Sequence, residues 1–196
     1  VEELMEELGL GPNGAMVLAA EKLSSLSGEL TKRLSSVGED YILVDTPGQM
    51  EIFVFREAGP KICSSLSPLN PVALYLTDCS LLSSGITDFA VSLVLSIAVH
   101  LRLGVPVLNV LNKADLLPRE KLSLVEEVLR NPEKLKEEVI NEAKGALADL
   151  SMGIAEAIST VMLPLRVVKV SAKCGMGLED LLGLMEEVAC ACGDHL

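Results

Sequence analysis

The chain has 196 residues, of which 49% are hydrophobic and 3% aromatic, and its formal net charge is −12 at pH 7. This length suits one well-cored domain, and the acidic balance excludes a nucleic-acid backbone as the main partner, because phosphate binding requires clustered Lys and Arg. The five cysteines are an odd number, and the opening residues VEELMEELGL are acidic where a signal peptide would be basic and then apolar. We therefore expect reduced thiols, no signal peptide and a cytoplasmic setting.

The predicted elements begin with two helices. Apolar residues recur at helical spacing from Val1 to Leu8 and again from Ala15 to Val37. Between these helices lies the tetrapeptide GPNG, in which Pro12 suits the second position of a turn and Asn13 or Gly14 tolerates the left-handed conformation that follows. Local chemistry alone therefore predicts a helix-to-helix turn.

Four β-rich runs follow, each apolar on both faces and each ending in polar residues. They are YILV (41–44), PVALYLTD (71–78), VPVLNVLNK (105–113) and LRVVKVSAK (165–173). Helical segments from Ile86 to Leu103 and from Leu178 to Cys190 alternate with them, which predicts an α/β fold with a mostly parallel sheet and helices on both faces. In such folds ligands bind beyond the carboxyl ends of the strands.

Two further segments are predicted to be helical. The longest strongly apolar run, from Phe89 to Val99, is interrupted by serines and is shorter than the roughly 20 residues that cross a bilayer, so we expect a buried helix and no membrane association. Residues 118–162 form a charge-rich insertion with Pro132 as a break, which we expect to be a solvated helical hairpin or a lid.

Two motifs at strand ends have the chemistry to read a guanine base. In NKAD, Asp115 can accept hydrogen bonds from the ring N1–H and the exocyclic amine of guanine, a donor pair that adenine lacks. The aliphatic stem of Lys113 can lie over the base, and Asn112 can tie neighbouring loops together. In SAK, the loop of Ser171 and Ala172 can offer a backbone N–H, with Ala172 small enough to let the base approach. Each motif alone is weak evidence.

The segment DTPGQME has the chemistry of a phosphate site. Asp45, at the end of an apolar run, is placed to hold Mg²⁺ through a bound water molecule. Gly48 can offer an unhindered backbone N–H to a γ-phosphate, and Gln49 and Glu51 are candidates to orient and polarise the attacking water. The alternative is an Asp-initiated turn with an incidental polar tail.

The order of these motifs resembles the GPN-loop GTPases, dimeric members of the P-loop GTPase class. Gly11-Pro12-Asn13 matches the defining insert of that family, and the resemblance covers essentially the whole chain, including its helical insertion. It implies a P-loop NTPase-like fold that binds GTP and GDP with Mg²⁺ and hydrolyses GTP by water attack on the γ-phosphate. It further implies a homodimer in which Gly11, Pro12 and Asn13 reach the nucleotide of the other subunit and Asn13 acts in trans. In eukaryotes the family is linked to RNA polymerase assembly, and the compact length favours an archaeal-type member.

The sequence departs from that family at one point. It contains no GxxxxGK followed by Ser or Thr, and no lysine occurs among its first 21 residues. We therefore expect residues 1–196 to be a single GTPase domain that lacks its N-terminal P-loop strand and helix, with residues 118–162 as an insertion within it. Without the backbone nest and lysine that hold the β-phosphate, we expect this chain alone to be inactive as a GTPase.

Two other functions remain open at this stage. One is a non-catalytic, P-loop-deficient assembly scaffold that dimerises through the same surfaces, although retention of DTPGQME speaks against it. The other is a metal-delivery GTPase in which Cys190, Cys192 and His195 bind zinc. Only three ligands lie close together in that tail, whereas a structural zinc site takes four, so a frayed helix end is the simpler interpretation.

Overall fold

The computed structural model describes residues 1–83, 85–142, 152–154, 156–158 and 166–193. These residues divide into two compact units, which we describe separately. The first unit comprises Val1–Pro71 and Val99–Val105, and the second comprises Val72–Ala98 and Pro106–Leu196.

The described elements of the first unit are helical. They are α1 (Glu2–Leu8), α2 (Pro12–Ser25), α3 (Ser27–Ser35), α4 (Met50–Phe53), α5 (Ala58–Ser65) and a 3-10 turn (Ser67–Leu69). Ala20 of α2, Ile52 of α4 and Ala58 of α5 are buried against one another, and Met16 and Val17 pack on this cluster. The first unit is therefore held together where α2, α4 and α5 meet.

The predicted turn at GPNG is wrong in its details. The residue with left-handed backbone is Gly9, which ends α1 at φ 62°, and Gly11 is the extended N-cap of α2 at φ −67° and ψ 164°. Pro12 is the first residue of α2, where its fixed φ suits a helix and its missing N–H would have no intrahelical partner. The GPN residues therefore open a helix, and Asn13 lies in its exposed first turn.

The single helix predicted from Ala15 to Val37 is divided at Leu26, which separates α2 from α3. The hydroxyl groups of Ser24 and Ser25 donate to the carbonyl oxygens of Glu21 and Lys22 at 2.8 and 2.7 Å. Such back-bonding competes with the backbone ladder and ends or bends helices.

The strand predicted at residues 41–44 is not formed. This segment has no regular secondary structure, and the side chain of Leu43 is 83% exposed. A strand requires a hydrogen-bonded neighbour, and the described residues of the first unit contain no other strand. The composition of residues 41–44 therefore favours a strand, but this unit offers no strand with which they could pair.

The second unit contains a parallel sheet of β1 (Ala73–Asp78), β2 (Val107–Asn112) and β3 (Val167–Lys169) in the order β1-β2-β3. The other three predicted strands are thus confirmed. The helices are α6 (Ile86–Leu103, whose last residues belong to the first unit), α7 (Arg119–Arg130), α8 (Pro132–Glu142) and α9 (Leu178–Gly193). Short 3-10 turns follow β1 (Cys79–Ser83) and β2 (Ala114–Leu116).

Alternate residues of β2 face two different cores. Leu111 packs in a cluster with Phe89 of α6, Val125 of α7 and Leu135 of α8. The neighbouring Val110 packs with Val168 and Val170, against which Leu181 and Leu184 of α9 lie. The predicted sheet with helices on both faces is therefore confirmed.

Helix α6 is, in the described part of the chain, the one helix whose 18 residues are long and apolar enough to span a membrane by length and composition. Its Leu93 is 1% exposed in the core, whereas Val91 is 44% exposed. The predicted helix is confirmed, and its burial is one-sided.

Candidate functional site

The loops that follow β2 and β3 are joined by one side chain. Asn112 Oδ1 accepts hydrogen bonds from the backbone N–H of Lys113 at 2.8 Å and of Ala172 at 3.2 Å. The backbone N–H of Ala114 donates to Val170 O at 3.0 Å, which adds a second tie. Because β2 and β3 are neighbouring parallel strands, their carboxyl ends bring NKAD and SAK to the same edge of the sheet.

These two loops enclose a cavity of about 300 Å³. Its lining is Asn112, Lys113, Asp115, Leu116, Ser171, Ala172 and Lys173. All five residues predicted to read a base, Asn112, Lys113, Asp115, Ser171 and Ala172, are among them. The volume lies at the small end of the range for ligand pockets. A larger cavity of about 540 Å³, beside β3 and the start of α9, contains none of these five residues.

The SAK loop owes its shape to a tight turn. Ser171 is fully buried; its N–H donates to Met176 O at 2.9 Å, and its carbonyl accepts from Gly175 N at 2.9 Å. Gly177 follows at φ 73°, and a Cβ there would lie 2.0 Å from the carbonyl oxygen of Lys169. Only glycine combines this backbone conformation with that close approach.

The backbone N–H of Ala172 is one of the donors of the SAK loop, and it donates to Asn112 Oδ1 at 3.2 Å. The sequence predicted that this loop offers a backbone N–H to a base without specifying the donor, and this stays a prediction. Ala172 lines the cavity, and the expectation that its small size lets a base approach stays a prediction.

Lys113 has a constrained backbone and a paired side chain. Its φ of 62° and ψ of 31° lie in the left-handed region, which is uncommon for a residue with a Cβ. Its Nζ donates to Asp78 Oδ2 at 2.5 Å, and Asp78 Oδ1 accepts from Ser80 N at 2.9 Å. The hydrogen bond from Lys113 and those from Ser80 lower the pKa of Asp78 to about 2, and the same Asp78 bond raises the pKa of Lys113.

Asp78 is a residue of this site that the sequence analysis missed. It is the last residue of β1, and the sheet register pairs it with Asn112. A polar residue at the end of a strand next to the one that carries NKAD is the signal that could have identified it.

The cysteines near the site differ in character. Burial, followed by the charges of Asp78 and Asp115, raises the pKa of Cys79 to about 11, so this thiol is unreactive at neutral pH. Cys174 is exposed, and hydrogen bonds, first with Ser171, lower its pKa. Cys63 and Cys79 are buried, and the three cysteines whose side chains the structure describes are free thiols.

The residues predicted to act on the phosphates lie in the first unit. Asp45, Gly48, Gln49 and Glu51 are exposed, and Gln49 is the N-cap of α4, where its carbonyl accepts from Ile52 N at 3.0 Å. The packing of Ile52 on Ala20 joins the DTPGQME segment to the helix that GPN opens. The structure therefore assigns Asn13 and the DTPGQME residues to one unit and the base-reading residues to the other.

Two metal sites were considered from the sequence. The exposed carboxylate of Asp45 fits Mg²⁺, because this ion is commonly held by one or two carboxylates with waters and substrate phosphates completing its shell. For the zinc alternative, the side chains of Cys190 and Cys192 and all of His195 lie outside the described residues. Among the residues that are described, no group of three or more His, Cys, Asp or Glu is placed to hold a metal ion.

The parallel sheet covered on both faces, with NKAD and SAK at neighbouring strand ends, matches the fold of a P-loop GTPase. The solved structure of a GTPase in apo form from Pyrococcus abyssi matches with a TM-score of 0.84 and 31% sequence identity, covering 97% of this chain and 76% of that one. The family model described as "Conserved hypothetical ATP binding protein" matches residues 1–191.

Named relatives identify the family within that class. The GPN-loop GTPase PAB0955 of Pyrococcus abyssi is 34% identical over 200 aligned positions, which cover 99% of this chain and 77% of that protein. The chain belongs to the GPN-loop GTPase family. GPN-loop GTPase QQT1 of Arabidopsis thaliana and GPN-loop GTPase 2 of Xenopus tropicalis are 34% and 36% identical over 122 residues, which are 40% and 39% of their own lengths.

Proposed function

We propose that this protein binds GTP and GDP and hydrolyses GTP as a homodimeric switch of the GPN-loop type. The observation that carries the proposal is the cavity of about 300 Å³ in which all five predicted base-reading residues meet. The named GTPase relatives support a guanine nucleotide as the ligand, even though the matching family model is described as ATP-binding.

Base selection is assigned to Asp115. Its exposed carboxylate lines the cavity and has two acceptor oxygens for the two donors of the guanine edge. Adenine would leave that carboxylate facing no donor pair in a partly enclosed site, which costs binding free energy. The stem of Lys113 and the small Ala172 then form surfaces of the cavity that the ring can occupy.

Hydrolysis is assigned to the exposed DTPGQME segment. In this proposal Gln49 and Glu51 orient and polarise a water molecule, whose oxygen attacks the γ-phosphorus as the bond to the bridging oxygen of GDP breaks. The backbone N–H of Gly48 donates to the γ-phosphate, and Asp45 would hold Mg²⁺ through a water molecule. When bound, Mg²⁺ supplies positive charge that neutralises the developing phosphate charge.

Asn13 is assigned to the nucleotide of the partner subunit. It lies exposed in the first turn of α2, and its carboxamide can donate to a phosphate oxygen or orient water. Gly11 and Pro12 fix the start of that helix, so the position of Asn13 is set by a rigid element. In a two-fold symmetric dimer this contact would occur twice, once at each nucleotide.

The P-loop is the part of the machinery that these residues do not contain. We propose that residues 1–196 form the GTPase domain without its first strand, P-loop and helix, and that hydrolysis requires the P-loop. Residues 118–162 are a helical insertion in this proposal, and its described helices α7 and α8 contribute Val125 and Leu135 to the core. By family resemblance, a cytoplasmic location and a macromolecular client such as an assembling RNA polymerase are part of the same proposal. Nucleic acid and membrane are not proposed partners.

The test is the base preference of the protein expressed from its complete reading frame. Asp115→Asn replaces one acceptor with an amide donor, which suits the carbonyl that xanthine has in place of the exocyclic amine of guanine. We expect fluorescent GDP to bind the unaltered protein and the preference to move toward XDP in D115N. Glu57→Gln, which breaks an exposed 2.6 Å ion pair with Lys61, is the charge-matched control and should keep the preference for GDP. No GDP binding, or equal binding of ADP, would overturn the proposal.

A non-catalytic scaffold that dimerises through the same surfaces is the alternative. It predicts that the protein expressed from its complete reading frame dimerises without nucleotide and shows no turnover of GTP. Single-turnover hydrolysis with Mg²⁺ distinguishes the two functions, because a switch releases phosphate and a scaffold does not.

A further inference from the structure

Asp78 and Lys113 form a contact that no part of the proposed hydrolysis uses. The two residues are 35 positions apart in sequence, and Lys113 Nζ lies 2.5 Å from Asp78 Oδ2. The side chain of Asp78 is 37% exposed and that of Lys113 is 54% exposed, so solvent screens this pair and its Coulombic contribution to folding is small. Its importance has to be sought in geometry.

The sheet fixes this geometry from the backbone upward. Residues of β1 and β2 pair in parallel from Ala73 and Val107 to Asp78 and Asn112, so the last residue of β1 lies beside the residue that precedes Lys113. The second carboxylate oxygen of Asp78 is occupied by the backbone N–H of Ser80 at 2.9 Å. The carboxylate is therefore held in one orientation, with its remaining oxygen directed to Lys113.

Lys113 is consequently held at both ends. At the main chain, its N–H donates to Asn112 Oδ1 at 2.8 Å and its backbone lies in the left-handed region at φ 62°. At the other end, its ammonium group is bound to Asp78. Four methylene groups separate these two points, and Lys113 lines the cavity together with Asp115 and Ala172. A lysine that was free in solution would lose rotamer freedom when a ring settled on its stem.

We propose that Asp78 is a positioning residue for the base site. By binding the ammonium group, Asp78 holds the Lys113 stem, before the nucleotide binds, in the conformation in which the purine ring packs on it. This inference rests on the proposed guanine-nucleotide function and adds a residue to it. Preorganisation of this kind raises affinity by reducing the entropy lost on binding, without a contact between Asp78 and the base. Because the Lys113 stem would contact the face of the ring, this effect should be the same for purines that differ only in the hydrogen-bonding groups on their edges.

The first test compares Asp78→Asn with Glu57→Gln in the protein expressed from its complete reading frame. Both variants remove one charge from an exposed lysine-carboxylate pair, and Asn can still accept the Ser80 hydrogen bond. We expect D78N to release fluorescent GDP about three to five times faster, the upper part of the range of an exposed ion pair, and E57Q to be unchanged. The factor should be the same for GDP and for IDP, which lacks the exocyclic amine, whereas D115N should change their ratio.

The second test asks whether Asp78 acts through Lys113. In a Lys113→Met background the stem keeps its length but has no ammonium group, so D78N should add less than a twofold change in GDP release. A full three- to fivefold effect of D78N in that background, or no effect in the original protein, would overturn the inference and leave the proposed function intact. Absence of GDP binding by the unaltered protein would overturn both.

Discussion

The carboxamide oxygen of Asn112 accepts the backbone N–H of Ala172 across 3.2 Å and of its neighbour Lys113 across 2.8 Å. One side chain at the end of β2 therefore fixes the distance between the two loops that form the base cavity. We predict that Asn112→Ala weakens GDP binding about tenfold, because two backbone donors lose a shared acceptor and the loops separate. Asn112→Asp keeps an acceptor oxygen in that place and should retain more of the affinity in a fluorescent GDP titration. Equal losses in the two variants would contradict this role.

Complementation between subunits tests whether Asn13 acts in trans. Asn13→Ala and Asp45→Ala should each abolish GTP hydrolysis alone. In a mixed dimer the subunit that carries N13A keeps its own Asp45 and receives Asn13 from its partner, so one of its two sites is complete. We predict that equal amounts of the two variants, allowed to exchange subunits, recover about a quarter of the original phosphate release. No recovery after verified exchange would place Asn13 in its own subunit's site.

Gly177 provides a stability test with a matched control. Alanine there would combine a φ of 73° with a Cβ 2.0 Å from Lys169 O, so we predict that Gly177→Ala lowers the free energy of unfolding by at least about 2 kcal/mol. Gly183 lies within α9 with no atom within 4 Å of an added Cβ. Gly183→Ala should therefore raise the free energy of unfolding by up to about 1 kcal/mol, because alanine is the better helix former. Urea unfolding measures both, and similar midpoints for the two variants would contradict the prediction.

Glu142, the last residue of α8, caps the start of α6. Its carboxylate accepts from the N–H of Ile86 at 2.8 Å and from the N–H and hydroxyl of Thr87 at 3.0 and 2.8 Å. We predict that Glu142→Ala lowers the free energy of unfolding by about 1 kcal/mol, as loss of a helix cap does. Glu137→Ala, on the same helix with one 3.4 Å contact to Lys134, should have a smaller effect.

The Glu142 cap also predicts a dependence on pH. Burial raises the pKa of Glu142, but the hydrogen bonds from Ile86 and Thr87 outweigh it and hold that pKa below 4.5. A carboxyl group whose pKa is lower in the folded state stabilises the fold above its unfolded pKa. The stability difference between the original protein and Glu142→Gln should therefore be constant near neutral pH and should shrink as pH falls below about 4.5. A difference that grows on acidification would show that the cap is not ionised.

Sequence patterns predicted the second unit well because its signals are local. Apolar runs ending in polar residues located β1, β2 and β3, and NKAD and SAK were placed at the same sheet edge by the rule that parallel strands share their carboxyl ends. Asp78 was missed because its partner is 35 residues away and only the register of β1 against β2 brings them together.

The first unit was predicted less accurately for two physical reasons. Gly and Pro are common both in turns and at helix ends, so their presence alone did not distinguish the two. The sequence predicted a turn centred on Pro12, whereas Gly9 ends one helix and Pro12 begins the next. The run at residues 41–44 has strand composition, but a strand also depends on a neighbour, which composition does not encode. The site residues Asp45, Gln49 and Glu51 therefore remain predictions.

The exposed run Tyr41-Ile42-Leu43-Val44 has a consequence for the behaviour of residues 1–196 in solution. Four consecutive apolar residues of high β-propensity, open to solvent, are the type of segment that stacks into intermolecular cross-β aggregates. Asp40 and Asp45 flank this run, and carboxylates repeated along a stack would repel one another, as gatekeeper charges do. We therefore expect the carboxylate proposed to hold Mg²⁺ to protect against aggregation as well, so that neutral substitutions of Asp45 reduce solubility independently of catalysis.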